Sequence, residues 1–284
     1  MENIGKMKLI QQYTTKELTQ LRAVLYDILS EIIRICDKHD INYFAIGGTA
    51  IGALYDKGIL PWDDDVDIGM TRKNYNKFLA VAPSELKPEY FLSWLETDPH
   101  TPFYYAKIKK NGTTFIEDKY KHIKMHHGIF VDIFPFDNVP DSPFFRKLQF
   151  KISNFLKTCF MAKDVWMWKH FGSCDLSQPL PRSIISTFAC RCVIMVFSKY
   201  QLYRMLEIVQ TWYNNKICQN QGLTITEVDY FTQANINKTI LRTFGPLMIK
   251  TPNDIEAYML QNSLKRFTEE EGWQRNHYPY KLEF

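Results

Sequence analysis

The sequence predicts an α+β fold: a mixed β-sheet flanked by helices, followed by a mostly helical C-terminal half. Two observations carry that prediction. Short β-rich runs, "YFAI" at 43–46, "DVDIGM" at 65–70, "FYYAKIKKNGTTFIE" at 103–117 and "GIFVDIF" at 128–134, are interleaved with segments of helical periodicity. Beyond about Asp141 the texture changes to long aromatic segments with helical spacing, broken around "GSCDLSQPLPR" at 172–182. Residues 1–140 therefore read as a sheet-bearing core, and 141–284 as a helix-rich part packed on it, shaping the acceptor side. A chain of 284 residues holds one large domain or two small ones.

Thr14 and Glu17 form a capping box, and Leu18, Leu21, Leu25, Ile28, Leu29 and Ile32 recur at helical spacing, so a helix runs to about Asp37. The strand at 43–46 runs into Gly47 and Gly48. Thr49 is placed to cap the helix that follows, and Gly58 to stop it. After the aspartate strand, Thr71 can cap a helix that buries Tyr75, Phe78, Leu79 and Ala82. Asn111-Gly112 between two β-rich runs predicts a hairpin. Pro135 ends the strand that begins at Gly128. Ser183 to Asn215 has room for two helices, and the tail from Trp273 is polar and aromatic without periodicity.

"GILPWDDDVDIGM" at 58–70 places Asp63, Asp64, Asp65 and Asp67 among apolar neighbours. Like charges this close repel, and burying them unpaired is costly, so a cation is expected there. In an extended strand Asp63, Asp65 and Asp67 share one face, with Asp64, Val66 and Ile68 on the other. A solvated acidic turn is the bland alternative, against which stand Val66, Ile68 and Met70 as a buried face. An EF-hand loop counted from Asp63 would need Gly and Glu where Ile68 and Asn74 stand, and is excluded.

Three features then line up. A strand ends in Gly47-Gly48 at a helix start, a second strand carries Asp65-x-Asp67, and a third carries the lone Asp132. A Gly-Gly turn admits a close backbone approach, and the helix start offers unpaired N–H groups to phosphate oxygens. Three carboxylates on adjacent strands can hold one or two Mg²⁺ ions, with Mn²⁺ as an alternative. This is the layout of phosphoryl transfer from a nucleotide, in which a carboxylate takes the proton of an attacking hydroxyl. Spacing leaves that base open between Asp63 and Asp67.

"YFAIGGTAIGALYDKGILPWDDDVDIGMTRKNYNKF", "YAKIKKNGTTFIED" and "HGIFVDIFPFDNVP" resemble the LicD family, within the nucleotidyltransferase superfamily and akin to the fukutin proteins. The resemblance spans about Ile41 to Pro140. It implies a nucleotidyltransferase-like core that transfers a phospho-alcohol, typically phosphocholine from CDP-choline, to a sugar hydroxyl of a cell-surface glycan such as lipopolysaccharide or teichoic acid. Asp65, Asp67 and Asp132 fall on the family's metal-binding carboxylates, and Asp63 and Asp64 complete its acidic motif. Gly47, Gly48 and Thr49 match its phosphate-side turn, Lys57 its Lys-Gly position and Lys107 its Ala-Lys position. Two departures stand out. Tyr55-Asp56 replaces the usual Arg-His before Lys57-Gly58, and the C-terminal part lacks the usual Tyr-Gly-Asp and Pro-Pro signature.

Other residues weigh less. Lys107 and Lys109 share a strand face, with Lys109 expected in solvent. His122, His126 and His127 in "HIKMHHG" lack a partner acid at motif spacing and read as ordinary loop histidines rather than a zinc site. Trp62 reads as packing, with a nucleobase or choline contact as the alternative. A net charge of 35 − 31 = +4 is too small to argue for nucleic acid. The N-terminus has no apolar run after its early lysines, which predicts a cytoplasmic protein. Six cysteines without C-x-x-C spacing predict packed, reduced thiols. "IISTFACRCVIMVF" at 184–197 is shorter than the roughly 20 residues of a membrane span and contains Arg191, so no transmembrane segment is expected, and membrane-surface docking is the alternative to a buried helix. Two rival functions remain: an Asp-x-Asp glycosyltransferase using a nucleotide-sugar, and a non-catalytic relative that binds nucleotide or glycan.

Overall fold

The computed structural model describes residues 13–171, 184–225, 230–273 and 277–284, side chains excepted at 165–171, 184–188 and 269. Cys174 and the break predicted at 172–182 lie outside these residues. The first helix, α1 (Thr15–Lys38), opens with the predicted capping box and buries Leu21, Leu25, Ile28, Leu29 and Ile32 against the sheet. The chain continues through β1 (Phe44–Ala45), α2 (Gly47–Tyr55), β2 (Asp67–Thr71), α3 (Arg72–Glu85), β3 (Tyr90–Ser93), β4 (Ala106–Lys110), β5 (Thr114–Ile116) and β6 (Phe130–Val139). Then come α4 (Pro143–Phe171), α5 (Ile184–Val196) and α6 (Lys199–Gln210).

The second half is not helical throughout. Beyond Gln210 it returns to β7 (Asn220–Gly222) and β8 (Tyr230–Thr232), then α7 (Gln233–Asn237), the hairpin β9 (Ile240–Phe244) and β10 (Leu247–Thr251), α8 (Ile255–Gln261), α9 (Glu269–Trp273) and β11 (Lys281–Glu283). These strands are only three to five residues long, too short for an apolar alternation that a sequence reading could detect.

Among the described residues the main sheet has the order β1-β2-β6-β4-β3, extended by β7 and β8. The pair β2 and β6 is parallel, and every other pairing is antiparallel. The central strand β6 passes through Pro135 without ending. Its Asp132 N–H points to β2 at Val66 O, so by alternation residue 135 faces the other edge. There the ladder to β4 has ended at Ile133 and the ladder to β7 begins only at Asp137, so no donor is missed.

Two local expectations give way to tertiary demands. Asn111-Gly112 does turn the chain, with Gly112 at φ +78°, but β4 and β5 do not pair with each other. Both edges of β4 are taken by β3 and β6, and β5 pairs with β11 instead. Thr49 is not a cap: α2 starts two residues earlier, at Gly47, and the Thr49 hydroxyl accepts the Asp67 N–H at 2.9 Å, tying α2 to β2.

Candidate active site

The acidic run is a loop that becomes strand only at Asp67, because β6 begins to pair there, with Asp67 directly beside Asp132. The predicted common face of Asp63, Asp65 and Asp67 therefore breaks at its first member. Asp65, Asp67 and Asp132 line one cavity of about 360 Å³. Asp63 does not line it: its carboxylate packs on Gly48, where a Cβ would come within 2.5 Å of Oδ2. Gly47 holds φ +51° at the start of α2 and its N–H donates to the Tyr258 hydroxyl at 3.2 Å. Lys57 lies beyond the far end of α2, exposed, and is not brought to the cavity.

On the other side of β6, Lys107 of β4 stands directly opposite Asp132. Its Nζ is 2.6 Å from Asp132 Oδ1 in a nearly dry ion pair, and the Tyr105 hydroxyl donates to Asp132 Oδ2 at 3.2 Å. The same ammonium lies over the Phe130 ring at 3.4 Å and the Phe103 ring at 4.0 Å. Lys107 thus belongs to the site, engaged with a carboxylate. Lys109, expected in solvent, is instead buried, donates to the His126 carbonyl and faces Asp98 at 3.7 Å. Burial draws its pKa down to about 8.

One lysine does not neutralise three buried carboxylates. Burial, then Asp64 and Asp63, push Asp65 up to about 7. Burial, then Asp65 and Asp132, hold Asp67 well above the carboxylate range. Asp132 is also raised by burial, with Lys107 pulling it back. Among the described residues the Asp67 carboxylate has no hydrogen-bond or ion-pair partner. A cluster whose negative charge exceeds its positive charge has the character of a divalent-cation site, and the donor set, all carboxylate oxygen, suits Mg²⁺ or Mn²⁺.

Asp64 also lines the cavity, and its carboxylate is held by residues near both chain ends. Its Oδ2 accepts from the Tyr13 hydroxyl at 2.7 Å and from the His277 N–H at 2.8 Å. The His277 ring lies 3.5 Å from Asp64 and 3.6 Å from Asp65, and its pKa is raised to about 9, by Asp64 first and then Asp65. Among the described residues Asp64, Asp65 and His277 are the acids and histidine whose ligand atoms lie within 4.8 Å of one another, and Asp65 shares the cavity with Asp67 and Asp132 besides.

Much of the remaining wall is aromatic, with Phe103, Tyr104, Tyr105, Tyr120, Phe130 and Phe134, and the Lys119–Glu117 pair at 3.6 Å adds a charged stretch. "PFYYAK" ahead of Lys107 signalled part of this wall. Lys157 of α4 and His277 from the C-terminal tail carried no signal, because both lie outside every motif, 17 and 137 residues beyond Pro140. Among the described residues Lys157 has no ion-pair partner, and burial lowers its pKa. Trp62 is used in packing, against Gly272, where a Cβ would sit 2.2 Å from the ring. The histidines are loop residues: His126 contacts the Asn111 side chain at 2.9 Å and His127 the Ile123 carbonyl at 2.9 Å. No helix of the described residues is long and apolar enough to cross a membrane.

Residues 40–178 match the family model described as LicD/FKTN/FKRP, nucleotidyltransferase domain. The lipopolysaccharide cholinephosphotransferase LicD of Haemophilus influenzae is 26% identical over 261 residues, covering 86% of this chain and 89% of that protein. An uncharacterized protein of Rickettsia typhi is 26% identical over 145 residues, covering 51% of this chain and 44% of that one. The family match begins just before β1 and ends past α4, so it contains the three carboxylates, Lys107 and Lys157.

Proposed function

We propose, on the premise that this chain belongs to the LicD family through residues 40–178, that it transfers phosphocholine from a CDP-activated donor to a sugar hydroxyl of a cell-surface glycan. The observation that carries the reading is a single cavity in which a carboxylate cluster adjoins an aromatic wall. A quaternary ammonium has no proton to donate and is recognised by ring faces, whereas a polyol would call for hydrogen-bond partners. The Lys107 ammonium already resting on Phe103 and Phe130 supports the wall's affinity for cations.

Asp65, Asp67 and Asp132 would hold the Mg²⁺ or Mn²⁺ ion, which when bound would neutralise charge on the donor phosphates. Lys157, the lining cation without a counter-charge, is assigned to a phosphate oxygen as a point charge. Of the two candidates for base we assign Asp67, because Asp63 packs on Gly48 outside the cavity. The acceptor hydroxyl gives its proton to the Asp67 carboxylate as its oxygen bonds to the phosphocholine phosphorus in line, and CMP leaves with the bridging oxygen. Tyr105 and Lys107 hold Asp132 in place. Tyr13 and His277 hold the loop through Asp64.

Calorimetric titration with CDP-choline, CDP-ribitol, CDP-glycerol and UDP-glucose, with and without Mg²⁺, tests the reading. Metal-dependent binding of CDP-choline that is lost in Asp65→Ala is expected, with CMP as the product of turnover. Binding of UDP-glucose alone would overturn it in favour of a glycosyltransferase, and donor binding without turnover on any glycan would favour a non-catalytic relative.

A further inference from the structure

We propose that the N-terminal half of α4 docks on an anionic lipid surface. In its first turns the helix carries more large apolar side chains than folding covers. Gln149, Phe150, Ser153 and Leu156 are buried, and the Gln149 side-chain amide anchors the helix to the Val209 and Gln210 carbonyls of α6. Phe144, Phe145 and Leu148 fall within an arc of roughly 100° on the first turns, and further along that arc Ile152 and Phe155 turn into the apolar cluster shared with α5 and α6. Phe144, Phe145 and Leu148 are 71%, 50% and 42% exposed and adjoin one another, and a contiguous apolar patch of this kind marks an interaction surface.

Charge selects the partner. From Ser142 to Lys163 the chain carries Arg146, Lys147, Lys151, Lys157 and Lys163 and no acid. Exposed Lys147 and Lys151 border the apolar arc. The first turn of α4 also has no acidic residue, so Arg146 and Lys147 sit at the positive end of the helix dipole, an arrangement that anions beside it relieve. Large aromatic and aliphatic side chains bordered by lysines, on a helix too polar to span, are the make-up of an interfacial helix. An acidic protein would satisfy the lysines, but two adjacent exposed phenylalanines at a helix start suit the headgroup boundary better.

The consequence rests on the transferase reading. Leu148 and Lys157 are nine residues apart on one helix, about 14 Å. A docked α4 lies along the surface, so the cavity that Lys157 lines would sit beside the lipids that carry a lipid-borne glycan, and the Haemophilus relative is by name a lipopolysaccharide enzyme. Docking itself stands on the helix alone.

Co-sedimentation of the full chain, without donor or acceptor, with vesicles of phosphatidylcholine alone and of phosphatidylcholine mixed with phosphatidylglycerol tests it. Partition onto the phosphatidylglycerol vesicles is expected, weakened by salt, and about fivefold lower for each of Lys147→Gln and Lys151→Gln. Phe144→Asp, an exposed change that leaves the fold intact by circular dichroism, should abolish it. No sedimentation, equal sedimentation of the variants, or a mass in solution that falls from dimer to monomer in Phe144→Asp would overturn the proposal, the last by making the face a contact between copies. Vesicle binding retained in a protein that turns over no CDP-alcohol would leave docking standing and remove the transferase reading.

Discussion

Strand β6 carries two buried aspartates five positions apart, and they are treated in opposite ways. Asp137 is fully matched: Arg72 grips both its oxygens, at 2.8 and 2.5 Å, and the Asn214 amide donates to it at 2.7 Å. Asp132 shares one lysine with a cavity that also holds Asp65 and Asp67. A matched buried pair fixes geometry, here joining β6 to α3 and to the segment after α6. An under-matched cluster stores a demand for a cation, which the metal proposed above would meet.

The largest test of this contrast is Asp67→Asn. It should lower transfer by ~10³-fold or more, since several kcal/mol of charge stabilisation depend on the cluster, while leaving metal-free stability unchanged or higher because a repelling charge is gone. Steady-state rates beside thermal melts check both halves. Equal loss of stability and rate would show that the cluster is structural after all. At the matched end, Arg72→Ala should cost about 3–5 kcal/mol of stability by stranding Asp137, measured by urea denaturation, with turnover of the remaining folded protein changed only a few-fold.

Lys157→Gln should weaken binding of CDP by about tenfold, the value of one charge-assisted contact, and Lys157→Arg should recover part of it. Calorimetry with CDP reads this without turnover. The smallest effect is the pH dependence of metal-free stability. Asp63 and Asp65 have folded pKa values raised to about 6 and 7 by burial first, so the folded state holds protons that the unfolded state has released. Folding is then favoured at the acid end, and this part is lost as pH climbs from about 4 through 7. Tm should fall by a few degrees between about pH 5 and pH 8 without metal. Mg²⁺ should restore more at pH 8, and Asp65→Asn should flatten the slope.

Much of the contrast was legible. The capping box at Thr14, the Gly47-Gly48 turn and the grouping of Asp65, Asp67 and Asp132 follow from short-range rules, because each depends on neighbours in sequence or on strand alternation. Lys109 was misread because alternation says which residues share a face, not whether that face is covered. The Asn111-Gly112 turn was read correctly, while its hairpin was not, because pairing depends on which strand edges are free. Asp63 left the shared face because a strand begins where its partner does.

By itself, then, the sequence determined which acids to look at, the glycine turn beside them, the α+β class and, through its resemblance, the family match. The tertiary structure alone decided the partners of those carboxylates, Lys107 on Asp132 and Tyr13 and His277 on Asp64, and it alone brought Lys157 of α4 and the aromatic wall to the cavity. Burial, pairing and counter-charge are set by groups distant along the chain, and local periodicity carries no information about them.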